Sequence, residues 1–387
     1  MKFKMNRVSQ IVAAGVLLGG ASFAAQAEIT LIKQDPKPYD LLSRLDFKVG
    51  GSIRPQLQNS MGNSDKGSFK NDGYDGGTRF RFSADYFLFD DVHWISYYEL
   101  GVNIPKVFSW EDHYASAPTK TFATTRRQLY TGFKSNTYGT LTFGQQNSVY
   151  YDVVGAKTDV WDYDMLAQAP NNGINGDYSG AYRGRKMLKY KYAAGPVDLY
   201  GAYLLPDDEY LVNGNSVAYK RKGGGSLGAN WHITKNLTWG TAYNLTSAEV
   251  KSRAKDNSKD YDQSILGTAL SWTPGNWTLS AGGGWYHNYL LTTKSDPQDY
   301  FAGNAYGVEY FAGYTIPVSK FAVQSVQPYF MGDHLEYVSG RNYQRTDNGL
   351  GVAVKLDYGF RVDFEHVITN STDNISDINL VRLYYNF

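Results

Sequence analysis

Apolar and polar residues alternate with a period of two through most of this chain, and that pattern restricts the fold more than any other feature. The last nine residues, Asn379 to Phe387, show it cleanly: Val381, Leu383, Tyr385 and Phe387 share one parity, while Arg382, Tyr384 and Asn386 share the other. A side-chain period of two is that of a strand with one apolar and one polar face. Trp277, Leu279, Ala281, Trp285 and Tyr289 oppose Thr278, Ser280, Gly282, Gly284, Tyr286 and Asn288; Tyr306, Val308, Tyr310, Ala312, Tyr314 and Ile316 oppose Glu309 and Thr315. Val352, Val354, Leu356 and Tyr358 oppose Lys355 and Asp357, and Phe360, Val362, Phe364 and Ile368 oppose Arg361, Asp363 and Glu365. Near the start, Phe80, Phe82, Tyr86 and Leu88 oppose Arg79, Arg81, Ser83 and Asp85.

These runs span roughly 9–13 residues, longer than the ~5–6 usual for strands of soluble sheets and close to the ~9–11 needed to cross a bilayer at a tilt. Aromatic residues crowd the ends of the apolar faces (Trp277 and Tyr289, Tyr306 and Tyr314, Tyr385 and Phe387), as in the girdles at two membrane interfaces. The 33 Tyr, 19 Phe, 8 Trp and 40 Gly, with no cysteine, point to an exported β protein stabilised without disulfides.

The N-terminus supports export. Lys2, Lys4 and Arg7 precede the apolar stretch Ile11 to Phe23, and Ala25-Gln26-Ala27 is an A-x-A site. The expectation is a signal peptide cleaved after Ala27, leaving residues 28–387 as one domain. Without its three cations, the 38 Lys+Arg become 35 against 37 Asp+Glu. That near-neutral balance argues against a nucleic-acid binder.

Connections alternate between short and long. Seven tight turns, such as Asp90-Asp91 and Pro274-Gly-Asn276, alternate with eight polar loops, among them Asn59 to Gly77 and Pro105 to Lys120. Fifteen connections imply sixteen strands, and an even count lets the sheet close without an edge. The expected fold is all-β, a 16-stranded antiparallel transmembrane β-barrel. Its final strand should close against the first, near Leu45 to Leu57.

Loop three, about residues 147–182, is the outlier in length, and loops this long usually have a task. It carries Asp159, Asp162, Asp164 and Asp177, with Lys157 as its clear basic counterpart. The inward parities of early strands collect Arg54, Arg79, Arg81, Arg126, Arg183, Arg185 and Lys189, with Glu99 nearby. If loop three folds into the lumen, its carboxylates face that basic wall, and the transverse field favours small hydrophilic solutes over apolar ones. Lumen tyrosines (Tyr97, Tyr200, Tyr286, Tyr384) with Trp161 and Tyr163 offer the alternative of a sugar-selective channel.

Three patterns suggest chemistry and do not carry it. Gly224-Gly-Ser226-Leu-Gly228 matches a nucleophile elbow but lies in a strand whose small residues admit a close neighbour. Gly282-Gly-Gly284 has no helix after it to bind phosphate. The histidines 93, 113, 232, 287, 334 and 366 show no metal spacing. Asn71 to Asp75 reads as a solvated loop tip with at most a weak divalent site, so no metal or cofactor is expected. An outer-membrane enzyme would need a catalytic constellation that these residues do not form.

The chain resembles the general trimeric porins of Gram-negative bacteria, of the enterobacterial osmoporin type. The likeness rests on Ala27-Glu28-Ile29, Leu45-Asp46-Phe47, Tyr138-Gly-Thr-Leu-Thr-Phe-Gly144, Val149-Tyr-Tyr-Asp152 leading to Asp164-Met-Leu166, and Tyr384-Tyr-Asn-Phe387. The resemblance implies a passive channel for ions and small hydrophilic solutes and a homotrimer set in outer-membrane lipid and lipopolysaccharide. It also implies recognition of Phe387 and Tyr385 by the barrel-assembly machinery. By position, Arg79, Glu99, Arg185 (or Arg183) and Asp164 match wall and loop charges of the family. Gln145 and Gln168 stand where the family carries charge, and Gly50 where it carries a strand-one lysine, which implies a weaker transverse field.

Overall fold

The computed structural model describes residues 28–37, 40–61, 71–104, 124–161, 174–212, 216–292, 294 and 296–387. Among them, 21 strand segments form one closed antiparallel sheet. In chain order these are β1 (Ile29–Ile32), β2 (Leu45–Ile53), β3 (Pro55–Met61), β4 (Asn71–Asp75), β5 (Arg79–Phe89), β6 (Val92–Val102) and β7 (Thr124–Ser135). Next come β8 (Gly139–Gln145), β9 (Met187–Ala194), β10 (Val197–Leu204), β11 (Tyr210–Val212), β12 (Val217–Thr234), β13 (Leu237–Ser252) and β14 (Ser258–Trp272). The last are β15 (Trp277–His287), β16 (Asn304–Tyr314), β17 (Ile316–Lys320), β18 (Val323–Tyr337), β19 (Gln344–Leu356), β20 (Phe360–Ser371) and β21 (Asp377–Asn386).

Several segments are halves of one barrel strand. β2 and β3 meet at Arg54, and β4 and β5 are separated by Gly76 to Thr78; β10 with β11 and β16 with β17 likewise share one partner strand. Four such joins reduce the 21 segments to 17, and β1, which continues the line of β21 along β2, brings the count to sixteen, as the alternation of turns and loops predicts. Asn71 to Asp75 is strand β4, paired with β3 through Gln56↔Tyr74, and not a loop tip. The Asp75 carboxylate accepts from the N–H groups of Gly77 and Thr78 at 2.9 Å each, capping the break that follows.

Closure differs in detail from expectation. β21 pairs with β3 from Asp377↔Met61 to Arg382↔Gln56, and with β2 only at Ser52 and Ile53. Phe387 then exchanges two backbone hydrogen bonds with Gly51. Below that point β2 is partnered by β1, through Ile29↔Val49 and Thr30↔Lys48. The sixteenth strand is therefore composite, its upper part from one end of the chain and its lower part from the other.

The outward face carries the apolar set. Trp231, Trp239, Trp272, Trp277, Trp285, Tyr314 and Phe364 are exposed, whereas Thr278, Ser280 and Asp363 of the opposite parity are buried within the barrel. With no water in hydrocarbon to satisfy the backbone, only such a closed ladder can sit in lipid. Tyr289 departs from the pattern. Asn288 adopts φ 49° and breaks the strand, so Tyr289 turns inward, fully buried, with its hydroxyl 3.1 Å from Ser179 Oγ.

Candidate functional site

Loop three leaves β8 at Gln145 and immediately coils. A π-helical turn over Tyr151–Gly155 runs into an α-helical turn over Ala156–Thr158. The chain coils here because Val149, Tyr150, Val153 and Lys157 fall on one helical face. That face packs on the inner surface of β12 to β15, and Val149, Tyr150, Val153 and Val154 are all fully buried. Each such side chain contributes about 1.5–3 kcal/mol, as an upper bound.

The wall accepts the helix because it has no side chains in the way. A methyl group added to Gly240 would sit 2.3 Å from the Val153 carbonyl oxygen, and one on Gly267 would sit 2.4 Å from the Tyr150 hydroxyl. Gly228 on β12 and Gly284 on β15 do the same, their added carbons falling 2.8 Å from Val149 Cγ1 and 2.7 Å from the Tyr150 hydroxyl, so small residues on β12 to β15 form the floor on which loop three rests. Ser226, the apparent nucleophile, donates to Asn244 Oδ1 at 2.6 Å within the strand ladder.

The loop is pinned along its length. Ser148 N–H donates to the Tyr182 carbonyl at 2.7 Å, and Lys189 Nζ reaches Asp152 Oδ2 at 2.7 Å and the Asn147 carbonyl at 2.8 Å. Beyond the helix, Val160 and Trp161 are buried in a cluster with Phe311, Tyr329, Met331, Ala353 and Val367 on the far wall. The chain therefore spans the lumen. Asp162, Asp164, Gln168 and Tyr163 lie outside the described residues. The return segment holds a short helix, Gly176–Ser179, whose Asn175 side chain accepts from Asp177 N–H at 2.9 Å.

The opposite face of the loop-three helix, with Tyr151, Asp152, Ala156 and Asp159, meets a cavity of about 890 Å³, whose edge Lys157 reaches from the wall side. The Tyr151 hydroxyl donates to Asp159, and burial followed by that carboxylate pushes the phenol well above its ordinary range. Lys157 is buried and donates to the Val153 carbonyl and to Asn230 Oδ1, the latter at 2.6 Å. Burial lowers its ammonium to about 8, against the opposing pull of Asp152 and Asp198.

Facing the loop is a wall of arginines. Glu99, buried on β6, is held between Arg81 Nε and Arg127 Nε at 2.6 Å each, a charge-assisted pair of bonds. Arg79 Nε donates to the Gly77 carbonyl at 3.0 Å, and Arg54 Nε to Ser52 Oγ at 2.8 Å. Arg54, Arg79, Arg81 and Arg127 all line the cavity, as do Arg361 and Arg382 on β20 and β21.

Of the residues expected at the lumen, Arg54, Arg79, Arg81, Glu99, Asp159 and Arg183 line this cavity. Arg126 does not. A bulge between Glu99 and Leu100 puts Gln128 opposite Glu99 and Arg126 opposite Leu100. Arg126 thereby joins the outward parity, where its Nε donates to Gln145 Oε1 at 3.0 Å, and Arg127 takes the inward place. Arg185 is also diverted. It stacks 4.4 Å from the Tyr178 ring centroid and pairs with Asp207 at 3.2 Å, outside the cavity lining. Lys189 holds the loop from beneath, and Lys191 two residues on reaches the cavity, paired with Asp198 at 3.0 Å.

Gln145 Nε2 donates to Asp177 Oδ2 at 3.1 Å, and Arg183 Nε donates to Asp177 Oδ1 at 3.3 Å. Burial raises the Asp177 carboxyl and Arg183 opposes it. Phe387 packs its ring against Phe80 and Tyr385, at 5.7 and 5.8 Å between centroids. Among the aromatics expected to face solute, Tyr97, Tyr200, Tyr384 and Trp161 line the cavity, Trp161 while also packed against the far wall, but Tyr286 is spent in packing. His232 lines the cavity too, 3.4 Å from Asp198. Among the described residues no group of His, Asp or Glu is placed to hold a metal ion.

Comparison with known proteins agrees with this architecture. The chain superimposes on OmpF of Salmonella typhi in complex with daunomycin with a TM-score of 0.65, at 12% identity, covering 89% of this chain and 98% of that one. The outer membrane channel DcaP of Acinetobacter baumannii gives 0.60 at 12% identity over 89% and 98%. The trimer form of the outer membrane protein OmpT of Vibrio cholerae gives 0.57 at 13% over 89% and 99%. At such identities the likeness is one of fold. A search of curated proteins found no match. The family model described as Gram-negative porin matches residues 12–315, more than half of the sequence. This chain belongs to the Gram-negative porin family and is an outer-membrane channel for passive diffusion.

Proposed function

We propose that the channel passes ions and small hydrophilic solutes through a constriction formed between loop three and the arginine wall. The observation that carries this reading is the loop-three helix, which turns one face to the barrel wall and the other, with Asp152 and Asp159, to the cavity opposite Arg54, Arg79, Arg81 and Arg127. Opposed charges across a narrow aqueous passage order its water, and an apolar solute must disrupt that order to enter. The sequence assigns Asp162, Asp164 and Gln168, outside the described residues, to the loop side of this constriction, whereas Gln145 is held by Arg126 and Asp177 away from the cavity lining. The machinery is one of positions and fields, with no catalytic step.

The working unit is a homotrimer in lipid and lipopolysaccharide, with the signal peptide removed after Ala27 and Phe387 and Tyr385 read by the barrel-assembly machinery. The test is single-channel recording of purified, refolded protein in a planar bilayer. Stable steps arriving in threes are expected, and their amplitude should scale with salt. Folded protein that gives no current would refute the reading.

A further inference from the structure

The arginine wall does not stop at the constriction but continues round the barrel onto β20 and β21, where three guanidinium groups surround one tyrosine. The Cζ atoms of Arg54, Arg361 and Arg382 lie 4.8, 5.2 and 5.8 Å from the centroid of the Tyr384 ring. Any two of them are therefore at most about 11 Å apart, close to one screening length at 0.1 M salt. All four residues line the lumen cavity.

Each guanidinium is fixed through its Nε. Arg54 is held by Ser52 Oγ at 2.8 Å, Arg361 by Asp363 Oδ1 at 2.7 Å, and Arg382 by Gln56 Oε1. Arg382 also donates to the Tyr384 hydroxyl at 3.2 Å. Guanidinium groups held in place around an aromatic ring are preorganised for an oxyanion, carboxylate or phosphate, both of which match the geometry of arginine.

The surrounding charge favours the same ligand. Among the described residues, nine Lys and Arg side chains line the cavity against five Asp and Glu. Adding Asp363 behind Arg361, and both Asp162 and Asp164 of loop three, still leaves an excess of cations. The buried acids Glu309, Asp333, Asp347 and Glu365 lie further round the wall and do not line the cavity.

We propose that the cluster at Tyr384 binds the oxyanion of small organic acids or phosphate esters, and that the channel passes such anions in preference to cations. The proposal rests on the porin reading and names the solute class for it. The test uses the refolded full-length channel in a planar bilayer under a tenfold gradient of potassium chloride, followed by disodium succinate or sodium phosphate at constant ionic strength. The reversal potential should carry the sign of anion preference, and both probes should reduce chloride current saturably. In Arg54→Gln/Arg382→Gln the half-blocking concentration should rise at least tenfold. Arg382→Lys should keep the reversal potential and weaken the block, because it retains the charge and loses the fork. If the double variant fails to fold, as judged by heat-modifiable migration, Arg54→Gln alone is read the same way.

A reversal potential of the opposite sign, currents indifferent to both probes, or variants that block like the parent would overturn the proposal and leave the porin standing. Block by only one probe would support the site and assign its source as carboxylate or phosphate. Folded protein without current would remove the porin reading and this one with it.

Discussion

The close approach of loop three to the wall at Gly240 is open to a direct perturbation. Gly240→Ala places a methyl carbon 2.3 Å from the Val153 carbonyl oxygen, 2.5 Å from Asn230 Oδ1 and 2.7 Å from Lys157 Nζ. Carbon and carbonyl oxygen ordinarily approach to about 3.3 Å, so the loop-three backbone must withdraw by about 1 Å. Overpacking of this kind costs about 1–3 kcal/mol. Releasing the helix would instead return four fully buried side chains to water, at about 1.5–3 kcal/mol each. It would also have to break the Lys189 bonds to Asp152 and Asn147. Displacement is the cheaper response, and the only free direction is into the passage. The single-channel step should therefore shrink in a protein that still folds, and its unfolding in denaturant should fall by the cost of the clash. Gly201→Ala supplies the control, since its added carbon meets nothing nearer than Leu227 Cδ2 at 3.7 Å. If Gly240→Ala conducts and unfolds like Gly201→Ala, loop three does not rest on β13.

Other outcomes follow from the same geometry. Glu99→Gln leaves Arg81 and Arg127 facing a neutral amide, so stability should fall by about 3 kcal/mol and the reversal potential should move further toward anions; an unchanged reversal potential would exclude Glu99 from the conducting path. Lys157, lowered to about 8 by burial, should lose its charge as pH rises from 7 to 9, reducing anion preference. Between about 8 and the ordinary lysine value of about 10.4 the unfolded chain binds the extra proton. Stability attributable to this group therefore rises with pH across that window, and Lys157→Met should abolish both effects in recordings and denaturant titrations. Arg185→Gln should leave reversal potential and step size unchanged because Asp207 holds it outside the cavity, whereas Arg127→Gln should alter both.

How much of this is legible in the residues depends on whether parity survives from one end of a strand to the other. It survives through β15, β20 and β21, so their outward aromatics and the inward positions of Arg361, Arg382 and Tyr384 can be counted off directly. Arg361 and Arg382 stand on the polar face from the outset, and only register, which brings β20 and β21 beside β2 and β3, joins them to Arg54. Parity fails where the backbone departs from a regular strand. One bulge exchanges Arg126 for Arg127, and Asn288 at φ 49° turns Tyr289 from the lipid face to the interior. The loop-three helix was present as Val149, Tyr150, Val153 and Lys157 at helical spacing, but a single helical face in a β protein has no partner until the wall glycines are brought beneath it. Arg185 looked like a lumen cation because Asp207, its partner, lies 22 residues away across a connection whose path the local pattern does not set.

The composite sixteenth strand also governs the order of assembly. Arg382 and Gln56, which meet at the seam, are 326 residues apart in the chain, while nearly every other strand pairs with its neighbour in sequence. Bringing such distant segments together carries a loop-closure cost of about 5 kcal/mol from the logarithmic dependence on length, whereas hairpins form at much lower cost. The sheet should therefore grow as a curled ribbon with two live edges and become a ring only when β21 and β1 together cover β2 and β3. Until then those edges can pair with another protein or another copy, so an interruption of synthesis anywhere before β21 leaves an open sheet and no channel.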